Sequence, residues 1–253
     1  MRQNQEDRIV VWFSCGSSSA VALKLAVRKY KKVNAVYCDT GSEHESNKGF
    51  LMDVEKWTGV KIEIIKNPKY VNIWELFMDV KYIAGIMGAP CTKLLKRQMR
   101  EKYQKEGDVH ILGYTLEEKL RAEKFDYRNP GIKTEWNLIE EGLTKQDCTG
   151  LLWRNNIELP EMYKLGYNHN NCIGCVKGGK GYWNKIRVDF PDVFKKMGKI
   201  ERSLGYTILR SKNGEPLYLD ELKIGDGNFR SEPQITCGFD CEILSQKFIK
   251  KED

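Results

Sequence analysis

The chain has 253 residues, 41% apolar and 30% charged, the balance of an ordinary globular protein and enough for one α/β domain with an appendage or two small domains. The formal charge is +7, but Lys and Arg are spread along the chain, so solvated helix faces account for most of them and the surplus points only weakly to a polyanionic partner. There is no run of about 18 apolar residues to cross a membrane, and MRQNQEDRIVV holds no apolar signal core, so a cytoplasmic protein with no membrane partner is expected.

Apolar, β-branched runs read as buried strands at Arg8–Phe13, Val33–Cys38, Val60–Ile65 and Val109–Gly113. Helical patterns separate them at Ser18–Tyr30, Glu45–Thr58, Ile73–Tyr82 and Thr92–Lys105. This alternation predicts an α/β fold, an open and mostly parallel sheet with helices on both faces. Ligands of such sheets bind beyond the C-terminal ends of the strands. The first strand ends in Ser14-Cys15-Gly16-Ser17-Ser18-Ser19 and turns straight into a helix. Backbone N–H groups and the helix dipole point at such a turn, and small residues let a phosphate approach it. A turn without ligand reads the same locally, because Ser is a common N-cap and Gly a common turn residue. The loop is neither a Walker A motif nor a dinucleotide fingerprint. Two further strand ends, Asp39-Thr40-Gly41 and Gly113-Tyr114-Thr115, are predicted to join it in one site.

Beyond residue 140 the pattern becomes more helical. Leu143–Asn155 reads as a helix with Thr144 as N-cap, and Phe190-Pro191-Asp192 opens another with Val193, Met197, Ile200 and Leu204 as its core stripe. Tyr206–Lys212 and Glu215–Leu219 flank Asn213-Gly214, a hairpin signal. These breaks predict an α/β core over 1–140, a helical extension over 141–205, and a hairpin with a cysteine-bearing tail over 206–253.

Eight cysteines in a chain expected to be cytoplasmic favour metal or sulfur chemistry over disulfides. Cys172-Ile173-Gly174-Cys175 and Cys237-Gly238-Phe239-Asp240-Cys241 are close pairs, and Cys91 precedes a basic segment with Lys93, Lys96, Arg97 and Arg100. A tight turn can aim two thiolates at one zinc ion or iron–sulfur cluster; a redox dithiol or unliganded thiols fit the same spacing. Cys15, Cys38 and Cys148 lie in or beside apolar runs and read as small core residues, and His169 reads as a solvated loop residue.

These motifs, in this order, resemble the phosphoadenylyl-sulfate (PAPS) reductase family, within the PP-loop group of adenine nucleotide α-hydrolase-like enzymes, and phage or prophage members of it. Ser14–Ser19 is similar to the family's Ser-x-Gly-x-x-Ser loop, with Ser18 where ATP-cleaving members often carry Asp. Asp39-Thr40-Gly41 matches an Asp-Thr-Gly after the second strand. Cys91-Thr92 through Lys96 resembles a Cys-containing basic segment, and Gly113, Glu118 and Arg121 fit Gly-x-x-x-x-Glu-x-x-Arg. Leu159-Pro160 through Gly166-Tyr167 and on to Gly174-Cys175 resembles the Leu-Pro…Gly-Tyr…Gly-Cys stretch. The tail Thr236-Cys237-Gly238-Phe239-Asp240 lacks the flanking Glu and His of the reductases' Glu-Cys-Gly-x-His.

The resemblance implies an adenine nucleotide, ATP or PAPS or adenylyl sulfate, held by Ser14, Cys15, Gly16, Ser17, Ser18, Ser19, Asp39, Thr40, Gly41, Gly113, Tyr114 and Glu118. It implies Asp39, Lys93, Lys96, Arg121 and Cys237 as reactive or charge-neutralising groups, with Mg²⁺ at Asp39. It implies a 4Fe–4S cluster on Cys91, Cys172 and Cys175, with the fourth iron on Cys237 or Cys241 or left open for sulfide; zinc on Cys172, Cys175, Cys237 and Cys241 is the alternative. The favoured activity is ATP-dependent sulfur transfer, adenylation followed by thiolation. The alternatives are a PAPS or adenylyl-sulfate reductase and a non-catalytic nucleotide-binding module with structural zinc. A nucleic-acid sulfur acceptor, a thioredoxin-like or sulfur-donor protein and a homo-oligomer are the further partners expected.

Overall fold

A computed structural model describes residues 7–85, 88–233, 235 and 237. Strands β1 (Ile9–Phe13), β2 (Val33–Asp39), β3 (Ile62–Lys66), β4 (Val109–Leu112) and β5 (Lys133–Glu135) form one sheet in the order β3-β2-β1-β4-β5. β1 pairs in parallel with β2 and β4, and β4 with β5; Ile9 lies opposite Val33 on one side and Val109 on the other. All five residues of β1 are buried, because the central strand is covered on both faces. Ile9, Val11 and Phe13 join a core with Leu23 and Ala26 of α1 (Ser17–Lys29), Val54 of α2 (Asn47–Thr58) and Leu152 of α7 (Lys145–Arg154). Trp12 points to the other face, where its ring meets Tyr103 of α4 (Gln98–Tyr103) edge-on at 5.8 Å. There Trp12 Nε1–H donates to Nδ1 of buried His110 at 2.8 Å, and burial lowers the His110 pKa from 6.5 to about 4.

The α/β class read from the sequence is the class of the structure. β5 went unread because it is three residues long and reads Lys-Thr-Glu, with no apolar run. The helix expected over Thr92–Lys105 is a π-helical turn, Thr92–Arg97, running into α4. The helix expected over Ile73–Tyr82 stops at α3 (Ile73–Val80), where Lys81 adopts φ +51° and ends it.

The chain separates into two compact units that interleave in sequence. Met1–Cys38, Glu45–Ile65 and Arg100–Lys164 make the first; Asp39–His44, Lys66–Met99 and Leu165–Asp253 make the second. The second contains α9 (Lys180–Asp189) and α10 (Pro191–Leu204), which pack together, with α10 also against α3. The buried stripe of α10 is Phe194, Met197, Gly198, Ile200 and Glu201; of the stripe expected, Met197 and Ile200 are buried, while Val193 and Leu204 are half-buried. Glu201 accepts the N–H groups of Ile208 at 2.6 Å and Leu219 at 2.7 Å, pinning the expected hairpin β6 (Leu209–Arg210) and β7 (Pro216–Leu217) to α10. Among the described residues, no helix is long and apolar enough to cross a membrane.

Candidate functional site

In the first unit the Ser14–Ser19 turn is organised by one hydroxyl. Ser19 Oγ accepts the N–H groups of Ser14 at 3.1 Å and Gly16 at 3.3 Å and donates to the Gly16 carbonyl at 2.9 Å. The Ser17 N–H donates to Tyr163 Oη at 3.3 Å. The N–H groups of Ser14 and Gly16 thus share one acceptor. Cys15 makes this possible by adopting φ +55°, a strained conformation for a residue with a side chain, while its thiol is buried. The Ser17 hydroxyl is buried and has no hydrogen-bond partner among the described residues. Gly113 is required here: a Cβ would stand 2.7 Å from the Ser19 N and Cα, so only glycine lets the end of β4 meet the start of α1.

Around this turn, Arg121 donates to Glu118 at 2.6 Å and lies 4.2 Å over the Tyr114 ring, which stacks on Trp136 at 5.1 Å. Glu118 also accepts the Thr115 N–H at 3.3 Å, so its carboxylate is engaged in capping as well as pairing. Sequence reasoning missed Tyr163 and Lys145. The Lys145 ammonium lies 5.9 Å over the Tyr163 ring, and burial lowers its pKa. Neither stands in a motif; only proximity in the fold selects them.

In the second unit, Asp39-Thr40-Gly41 meets cysteines. Asp39 Oδ1 accepts the Gly41 N–H at 2.7 Å, closing the turn, and Oδ2 lies 3.8 Å from Lys66 Nζ. Gly41 has φ +65°, and a Cβ there would stand 1.8 Å from the Val71 carbonyl oxygen. Thr40 Oγ1 donates to Glu43 at 2.6 Å and lies 3.0 Å from Cys172 Sγ. The Ile173 N–H donates to the Ser42 carbonyl at 2.9 Å. The Cys-x-x-Cys turn is held from its other side by Tyr182, whose hydroxyl accepts the Cys175 N–H at 2.8 Å and donates to the Cys172 carbonyl at 3.4 Å. Gly174 turns it at φ +76°.

Cys91, Cys172, Cys175 and Cys237 line one pocket, together with Lys96, Lys177 and the buried Thr92 hydroxyl. Thr92 Oγ1 has no partner among the described residues. Burial pushes the Cys91 thiol up to about 12 and Cys175 to about 11, and raises Cys172 well above 9. For Cys237 burial acts the same way, but Lys96 and Lys177 outweigh it and hold its pKa below the ordinary value. The seven described cysteines are all free thiols. Among the described residues, no group of three or more His, Cys, Asp or Glu is arranged to hold a metal ion. Lys93 is exposed and does not line the pocket. Cys15 and Cys148 are fully buried and Cys38 nearly so, as expected of core thiols. Cys241 lies outside the described residues.

Fold and turn together define a parallel-sheet α/β protein whose first strand runs through a Ser/Gly turn into a helix. Residues 8–112 match the family model of the phosphoadenosine phosphosulfate reductase domain. Two uncharacterized proteins of Methanocaldococcus jannaschii are similar to this chain. One is 25% identical over 205 residues, covering 77% of this chain and 41% of the relative; the other is 21% identical over 214 residues, covering 81% and 50%. The chain spans about half the length of the curated relatives it matches. Among solved structures, a PAPS reductase from Candida auris in complex with phosphate is similar at TM-score 0.48 and 15% identity, over 66% of this chain and 82% of that one.

Proposed function

We propose that the protein is an adenine-nucleotide-binding enzyme of sulfur chemistry, an ATP-dependent sulfurtransferase that works with a cysteine-bound iron–sulfur cluster. The observation that carries this reading is the meeting of four thiols from three distant segments in one pocket. Four thiolates are a donor set that a 4Fe–4S cluster takes, as does a structural zinc ion. Burial raises the pKa of three of these thiols, a cost of ionisation that a bound cation would offset. The unpartnered Thr92 hydroxyl would supply a hydrogen bond to a bound sulfur. When bound, a cluster supplies an electron-rich metal site that can hold or deliver sulfur.

The other parts of the reading fall to the chain's own residues. An anion at the Ser14–Ser19 turn would take over the N–H groups that Ser19 Oγ now accepts, leaving the Ser19 and Ser17 hydroxyls as further donors. A substrate oxygen would attack the α-phosphorus of ATP and release pyrophosphate, and a sulfur nucleophile would then displace AMP. The N–H groups and Arg121 would stabilise the growing phosphate charge. Asp39, already closing its own turn, is a candidate to hold Mg²⁺ or the nucleotide. The proposed nucleic-acid acceptor draws support from a basic cleft at the N-terminal ends of the strands, lined by Arg8, Lys29, Lys31, Lys32 and Lys105.

A second reading, a reductase forming sulfite, draws support from Cys237, the one thiol of the pocket whose pKa is lowered, by Lys96 and Lys177. One experiment separates the two. Anaerobically purified protein should contain iron and sulfide, lose most of both in Cys172→Ser/Cys175→Ser, and cleave ATP to AMP and pyrophosphate with an acceptor present. Sulfite released from PAPS or adenylyl sulfate with thioredoxin, and stopped by Cys237→Ser while iron stays bound, would replace the sulfurtransferase reading with the reductase one.

A further inference from the structure

Glu232 belongs to no motif, yet its carboxylate closes the N-terminus of α9. Oε1 accepts the Gly181 N–H at 2.5 Å and Oε2 the Tyr182 N–H at 3.0 Å. Three glycines make room for this contact. A Cβ on Gly179 would lie 2.8 Å from the Glu232 carboxyl carbon, one on Gly181 2.3 Å from the Phe229 N, and one on Gly227 2.2 Å from the Gly181 N. The segment leading to Glu232 has little secondary structure of its own and is fastened along α9 by side chains. Asn184 Nδ2 donates to the Lys223 carbonyl at 2.9 Å and the Asp226 carbonyl at 2.8 Å, and Arg187 donates to the Leu222 carbonyl at 2.6 Å. Past Glu232, Asn171 Nδ2 donates to the Ile235 carbonyl at 2.9 Å, and two residues later Cys237 enters the thiol pocket.

Tyr182 stands at both ends of this arrangement. Its N–H receives the Glu232 carboxylate, while its hydroxyl grips Cys172 and Cys175. The residue that fixes the Cys-x-x-Cys turn therefore also anchors the segment that brings the last thiol.

We propose that Glu232 is the positioning residue that sets Cys237 in the pocket. Two charge-assisted hydrogen bonds at a helix N-terminus fix a point five residues before the thiol. Five residues reach at most about 18 Å, so a fixed Glu232 confines Cys237 to a small volume and raises its effective concentration at the other three thiols. The consequence for a cluster rests on the proposed function; the positioning itself needs no metal.

The test uses the reduced, metal-free full chain, alkylated with iodoacetamide, with each cysteine followed by mass spectrometry and the fold by circular dichroism. Glu232→Ala should speed alkylation of Cys237 about tenfold while Cys172 and Cys175 keep the wild-type rate, as expected when tethering is lost at one group alone. Glu232→Gln, which keeps one acceptor oxygen, should fall between wild type and Ala, and it serves also if the Ala variant fails to fold. An equal rise at Cys172, Cys175 and Cys237 would show general loosening and overturn the proposal. So would an unchanged Cys237 rate in folded Glu232→Ala. Iron loading of the same proteins is a separate arm: a wild type that takes up no iron sinks the cluster reading, while the labelling pattern still decides the role of Glu232.

Discussion

The Ser14–Ser19 turn and the thiol pocket are built in opposite ways. The turn is six consecutive residues running from a buried strand into the first turn of a helix, organised by its own Ser19 hydroxyl. The pocket gathers Cys91, the Cys172–Cys175 turn and Cys237 from segments some 60 to 80 residues apart; hydrogen bonds to the Ser42 carbonyl and the Tyr182 hydroxyl hold the second, and one from Asn171 Nδ2 holds the third. A contiguous site can survive wherever its strand and helix form. A discontiguous one depends on every segment arriving, so its weak points lie far from its reactive atoms.

Gly41→Ala tests that vulnerability most severely. The new Cβ would meet the Val71 carbonyl oxygen at 1.8 Å in a backbone with φ +65°. A loss of about 3 kcal/mol or more in urea unfolding is expected, with iron uptake falling in parallel. An unchanged midpoint would mean that the turn beside Thr40 and Cys172 yields easily, and the contrast would collapse.

The two units should also differ in the sign of their pH dependence. Buried His110, in the first unit, has a pKa lowered to about 4. The unfolded chain binds its proton below about 6.5 and the folded chain does not, so stability falls as pH drops from about 6.5 to 4, by about 3 kcal/mol at most. Buried Glu201, in the second unit, has a pKa raised from 4.5 to about 7, chiefly by burial. Its contribution is complete below about 4.5 and is lost as pH rises through about 7, by a similar amount. Urea melts of His110→Gln and Glu201→Gln from pH 4 to 8 should remove the acidic and the neutral slope respectively. Parallel curves for both variants and the wild type would show that neither group controls its unit.

At the basic cleft the expected effect is smaller. Lys31→Glu/Lys32→Glu should weaken binding of a labelled RNA by about tenfold at low salt and flatten its salt dependence. Unchanged affinity and slope would remove the cleft as support for a nucleic-acid acceptor. The mildest change is Thr144→Ala. Thr144 Oγ1 accepts the Asp147 N–H at 3.1 Å to cap α7, and its removal should cost about 1 kcal/mol in thermal unfolding. A much larger loss would show that α7 carries more of the first unit than its cap suggests.

Much of the sheet was legible before the fold was known, because buried strands must be apolar and helices must present one apolar face; β5 escaped for want of an apolar run. The phosphate-type turn was legible for a similar reason, since strand, small residues and helix lie in one continuous stretch. The three cysteine segments were legible as candidates for one site, and the family resemblance grouped Cys91 with Cys172 and Cys175; the spacing itself left zinc, cluster and dithiol open. Gly113 was noted as a motif residue, but its cause, the approach of Ser19 to 2.7 Å of a Cβ, is a fact of packing.

The sequence alone determined the parallel α/β core and the strand–turn–helix at Ser14–Ser19, since both follow from local pattern and hydrophobic burial. Only the tertiary structure decided that Asp39-Thr40-Gly41 meets Cys172, that Tyr163 and Lys145 stand at the turn, and that Glu232 caps α9 on the way to Cys237. Each of these contacts joins residues distant in sequence through hydrogen bonds or ring contacts that leave no periodic trace. Such partners are chosen by where the packed chain brings them, after the core has formed.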